Sequence, residues 1–168
     1  MLHNKNAFTL TELSVVLALV FIVITLCLPA LVHYASQHVA AEAAMLKTAC
    51  WYTQQYARTQ NSQKSLIFNP AGNSYTFADT KHVLHSQVKF GSLPNVFGPP
   101  AIPHKQITAP VTFVGQRVSF SPLGIIQSGT VYLVDRNQSV MYGLTAAVAG
   151  VSHLRMYHYN QGRWQSCV

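Results

Sequence analysis

Ala7-Phe8-Thr9-Leu10-Thr11-Glu12-Leu13-Ser14-Val15-Val16-Leu17-Ala18-Leu19-Val20-Phe21-Ile22-Val23-Ile24-Thr25-Leu26-Cys27-Leu28-Pro29-Ala30-Leu31-Val32 is the stretch on which the fold turns. From Leu13 to Ala41 it continues without an Asp, Glu, Lys or Arg. About 20 apolar helical residues match a bilayer core of about 30 Å, so the length predicts a transmembrane helix over 8–32. Glu12, the one carboxylate at its head, is costly in lipid unless paired, which marks it as a functional residue. Thr9 and Glu12 also fit a Thr-x-x-Glu capping box, and the two roles can coexist.

The junction Ala7-Phe8-Thr9-Leu10-Thr11-Glu12-Leu13 resembles the signal of type IV prepilins and type II secretion pseudopilins. The resemblance implies a leader over 1–7, cleavage by a prepilin peptidase between Ala7 and Phe8, and N-methylation of Phe8. It also implies that Glu12 pairs with the terminal amine of a neighbouring subunit during assembly. The family usually has Gly where this chain has Ala7, and more often an apolar residue where it has Thr11. Pro29 falls where many members carry a helix-loosening proline. A conventional signal peptide fits less well, because the apolar run exceeds a 7 to 15 residue core and no Ala-x-Ala site follows closely.

Past the apolar run, residues 30–60 hold no Gly or Pro and are rich in helix formers. Val39, Ala43, Leu46, Cys50, Thr53 and Ala57 recur at steps of three and four, so an amphipathic shaft helix over 33–60 should turn this stripe to a core. A helix from Phe8 to about Thr59 would be roughly 80 Å long. Beyond Asn61 the period becomes two. Lys64–Asn69, Ser74–Ala78, Lys81–Phe90, Gln116–Ser121, Thr130–Asp135, Ser139–Gly143 and Val151–Tyr159 read as strands. Asn69–Asn73, Ser121–Gly124 and Asp135–Gln138 read as turns. Residues 91–110 carry Pro94, Pro99, Pro100, Pro103 and Pro110 and read as a long loop. The expected fold is α+β: a long N-terminal transmembrane and shaft helix packed on a sandwich-like antiparallel head over 61–168.

The head motifs sharpen the resemblance. Val118-Ser119-Phe120-Ser121-Pro122-Leu123-Gly124 and Gly129-Thr130-Val131-Tyr132-Leu133 resemble the GspH/FimT minor pseudopilins. Gln54-Gln55-Tyr56-Ala57-Arg58, Leu66-Ile67-Phe68 and Gly162-Arg163 are similar to that branch too. DNA-uptake members of the branch carry a C-terminal Gly-Arg-x-Arg, whereas this chain has Gly162-Arg163-Trp164-Gln165. The resemblance implies partnership with other pilins or pseudopilins, the prepilin peptidase and the inner membrane. It places the N-terminus in the cytoplasm and the head outside, and His3 and Lys5 ahead of the apolar run agree.

Eleven Lys and Arg against 4 Asp and Glu give a formal charge of +7. Without Lys5 and Glu12 the balance is 10 to 3, all beyond residue 41, which draws the head toward anionic partners such as nucleic acid, lipid headgroups or an acidic protein face. Alternation in the last strand places Arg155, Tyr157 and Tyr159 on one face, followed by Arg163 and Trp164. This is a candidate surface for DNA stacking or for a neighbouring subunit. Cys50 and Cys167, the only cysteines beyond the apolar run, are a candidate disulfide in an extracytoplasmic compartment.

Catalytic chemistry is sparse. Four carboxylates give no convincing acid/base pair and there is no Gly-x-Ser-x-Gly elbow, so a signal-anchored periplasmic enzyme is the weaker alternative. His82 and His85 would point to opposite faces of a strand, and His153 and His158 lie far along the chain. Neither a metal nor a cofactor is expected.

Overall fold

The computed structural model describes residues 10–100, 105–146, 153–160 and 162–167, and at 27–36 it describes the backbone alone. Helical backbone is assigned over α1 (Leu10–Thr59). The chain divides into two compact units, Met1–Tyr34 and Ala35–Val168, so the boundary falls inside α1. The expected fold class is corrected here. The architecture is α+β with two antiparallel sheets, but the ends of α1 belong to different units and do not make one long shaft. No helix among the described residues is long and apolar enough to cross a membrane. Residues 37–59 carry Glu42, Lys47 and Arg58 and are amphipathic.

In the second unit the helical stripe enters the core as the spacing predicts. Val39, Ala43, Leu46, Cys50, Thr53 and Ala57 are all buried. The helix ends in a Schellman motif. Ser62 N–H donates to Ala57 O at 3.1 Å and Asn61 N–H to Arg58 O at 3.2 Å, with Asn61 at φ 43° in the left-handed position.

The described strands are β1 (Lys64–Asn69), β2 (Ser74–Phe77), β3 (Thr80–Val83), β4 (Val88–Phe90), β5 (Arg117–Phe120), β6 (Gly129–Asp135), β7 (Met141–Ala146), β8 (Arg155–Asn160) and β9 (Arg163–Cys167). They form a four-stranded sheet in the order β3-β2-β1-β5 and a five-stranded sheet in the order β4-β6-β7-β8-β9. The strand expected over 81–90 is two strands in different sheets. Asn73 makes the break: its carbonyl accepts from Leu84 N–H, its amide donates to Val88 O at 2.6 Å, and its side-chain oxygen accepts from Phe90 N–H. β9 is a strand that the sequence reading does not contain, and it pairs with β8 from Met156↔Cys167 to Asn160↔Arg163.

The five-stranded sheet is covered on both faces. Val131, Leu133, Leu144 and Met156 join the helical stripe and Leu66, Phe68 and Phe120 of the other sheet in the main core. Tyr132, Val134 and Met141 form a second cluster with Val96, Leu93 and Ile107 of the 91–110 loop. Leu93, Val96 and Ile107 therefore cover part of one sheet face.

Candidate functional site

Three regions carry the residues singled out by the sequence, and the structure treats them differently. Ala7 and Phe8 lie outside the described residues, as do the side chains of Cys27 and Pro29. Glu12 stands in the first turn of α1 and is exposed. Behind it, the large apolar side chains of residues 10–26 are exposed on every side of the helix, from Leu10 at 82% to Ile24 at 46%. A helix apolar all round is one that is buried in a larger protein or in a membrane, and a contiguous apolar surface of this kind marks a protein or membrane interaction site.

The surface expected from Arg155, Tyr157, Tyr159, Arg163 and Trp164 is not assembled as one face. Trp164 pairs across from Tyr159, and their rings meet edge-on at 5.1 Å. Trp164 also packs near Tyr132 at 6.2 Å and Tyr157 at 6.5 Å, and its Nε1–H donates to Phe97 O at 2.9 Å. A Cβ on Gly143 would press on both the Tyr132 and Trp164 rings, so the bare backbone makes room for them. Tyr157 and Tyr132 are buried, and burial pushes the Tyr132 phenol above its ordinary value. Tyr132, Tyr159 and Trp164 thus pack with Leu93, Val96 and Ile107 of the loop and are engaged within the fold. Arg163 pairs with Asn160, which places it on the opposite face from Trp164 and Arg155. The two arginines are also separated by roughly 17 Å of strand at about 3.3 Å per residue. The sequence misses this because β9 has no apolar alternation to give its register.

Cys50 and Cys167 are both free thiols, so the expected bridge is absent from the structure. Cys50 is buried on the helical stripe, and burial pushes its thiol up to about 12. Cys167, at the sheet edge, is raised by burial, with His158 backbone hydrogen bonding and the Lys47 charge opposing.

Glu42 is a connection that the sequence does not reveal. It is buried, with Oε2 3.0 Å from His82 Nε2 and Oε1 accepting from His85 N–H at 2.9 Å. His85 also stacks on His38 at 4.1 Å. His82 and His85 therefore meet one carboxylate of the helix, which pins the bend between β3 and β4. Among the described residues no group of three or more His, Cys, Asp or Glu is placed to hold a metal ion.

Residues 54–58 at the helix end and the turn at 121–124 meet in space. Gln54 Nε2–H donates to Gly124 O at 2.6 Å, and the Arg58 guanidinium lies against Gly124. Gly124 has φ +78°, a conformation that suits glycine, and its N–H closes the turn onto Ser121 O at 2.8 Å. The helix end and the Ser-Pro-Leu-Gly turn are thus one clamp.

The chain matches no family model, no curated protein and no solved structure. The functional reading rests on the residues and geometry above.

Proposed function

We propose that the chain is a minor pseudopilin, a structural subunit of a type II secretion pseudopilus or type IV pilus, and that it works by packing rather than by catalysis. The observation that carries this reading is the exposed, all-round apolar helix of residues 10–26 with Glu12 in its first turn. Fully burying a large apolar side chain is worth about 1.5–3 kcal/mol, so a row of them is a strong drive to associate with similar helices. A carboxylate at the start of such a helix is costly in an apolar assembly unless it is compensated, and a cation is one group that does so. The prepilin-like junction supplies one, the amine of Phe8 on a neighbouring subunit after cleavage at Ala7.

In this reading the chain is held at the inner membrane with its head extracytoplasmic until other pilins take it into the filament. DNA capture by Arg155, Tyr157, Tyr159, Arg163 and Trp164 is not carried forward, because the aromatics are engaged within the fold and the arginines lie on opposite sheet faces. Intact mass and N-terminal sequencing of protein from host membranes should give N-methyl-Phe8. A mature chain that begins at Met1 would defeat the proposal. Replacing Glu12 with Ala should leave membrane recovery unchanged and lower recovery in filaments several-fold, and unaltered incorporation would reduce Glu12 to a helix cap.

A further inference from the structure

Beside the helix end lies a pocket of about 360 Å³ with an apolar floor and a basic rim. Phe120, Ile126 and Leu154 form the floor. Lys47, Trp51, Gln54 and Arg58 line one wall at helical spacing, so Lys47 and Arg58 stand roughly 16 Å apart along the axis. His153 closes the other side, and Arg155 Nε–H donates to its Nε2 at 3.4 Å. Trp51 is 60% exposed, an indole at the rim with little cover.

Of the carboxylates described in Ala35–Val168, none answers this charge. Glu42 is engaged by His82 and the His85 amide, and Asp135 accepts from Ser139 and Val140 inside the β6–β7 turn. Asp79 sits in the β2–β3 turn and lines a different depression. Neither Lys47 nor Arg58 has an ion-pair partner among the described residues.

We infer that this pocket is a docking surface for a short acidic segment of a partner protein, with carboxylates at both ends and an apolar side chain between them. The spacing selects that chemistry. Cations stand at the two ends of the groove and apolar floor lies in the middle, so the occupant needs anions about five extended residues apart at about 3.3 Å each. A lipid with one headgroup satisfies only one end. A nucleic-acid backbone presents nothing apolar to the floor. The inference does not depend on the filament reading, because it follows from the pocket alone.

The test uses full-length protein in a neutral detergent and the fluorescein-labelled peptide Asp-Glu-Leu-Phe-Asp-Glu, followed by polarisation. Comparison probes replace Leu-Phe with Ser-Ser, replace the acids with Lys, or are a labelled 20-base-pair duplex. Saturable binding with a dissociation constant below about 1 mM is expected for the acidic apolar peptide alone. Lys47→Glu and Trp51→Ala should each weaken it by about twofold to fivefold, the scale of a partly exposed contact. Both positions are solvent-accessible, and unchanged melting curves would show that the fold is kept. No saturable binding, equal binding of the Ser-Ser peptide, tighter binding of the duplex, or indifference to Lys47→Glu in a folded variant would each overturn the assignment.

Discussion

At the scale of single residues, environment decides the chemistry of the two head cysteines. Cys50 sits in the core with its thiol pushed up to about 12, and the thiolate is the reactive form. Cys167 is half-exposed on an edge strand. Iodoacetamide at pH 8 should therefore modify Cys167 in the folded, unreduced chain, and Cys50 only after unfolding. Mass spectrometry of the peptides reads the result, and protection of both thiols that is lifted only by reductant would establish the bridge that the structure lacks. The same scale explains Trp164. Its ring and its Nε1–H are used inside the fold, so Trp164→Ala should cost about 3 kcal/mol in denaturant unfolding. Arg163→Ala, exposed on the other face, should stay within about 0.5 kcal/mol of the parent. Equal small effects would mean that the indole is a free surface group.

At the scale of elements, Asn73 decides where one apparent strand becomes two. Its side chain replaces a neighbouring strand at the start of β4, accepting from Phe90 N–H and donating to Val88 O. Asn73→Ala leaves those groups without it, and an unmade buried hydrogen bond costs about 1–3 kcal/mol. Amide exchange at Phe90 should accelerate while that of Leu133, at the centre of β6, keeps pace with global unfolding alone. Unchanged protection at Phe90 would remove Asn73 from this role. The case also shows what could be read from sequence. The Val39 to Ala57 stripe was legible because a period of three and four survives any tertiary context that buries one face. Lys64–Asn69 was legible to the residue because Asn-Pro-Ala-Gly-Asn closes the hairpin locally. The break within 81–90 was not, because Asn73 and Glu42 impose it from elsewhere in the chain. Nor was the fate of Tyr157, Tyr159 and Trp164, since alternation puts aromatics on a common face but says nothing of the proline-rich loop that covers part of it. The N-terminal run reads as a membrane span by its apolar length, whereas no helix among the described residues is long and apolar enough to be one.

At the scale of the whole molecule, stability and association are carried by different units. Among the described residues, every buried core residue lies between Val39 and Tyr157, inside Ala35–Val168. The helical residues 10–26 contribute none of them, and leave their large apolar side chains exposed. A chain beginning at Ala35 should therefore keep the cooperative unfolding of the parent, since the described buried core lies within it and two-state behaviour belongs to the packed unit. Its self-association should fall sharply, because the contiguous apolar surface is gone. Thermal melting by circular dichroism and sedimentation of both chains without detergent measure the two properties separately. The expected pair is a sharp transition for both chains, with aggregation or large oligomers for the full chain and a monomer for the shortened one. A shortened chain that melts without cooperativity would show that residues before Ala35 complete the core. A shortened chain that still forms oligomers would move the association surface to the head, where Trp51 and its basic groove become the first residues to test.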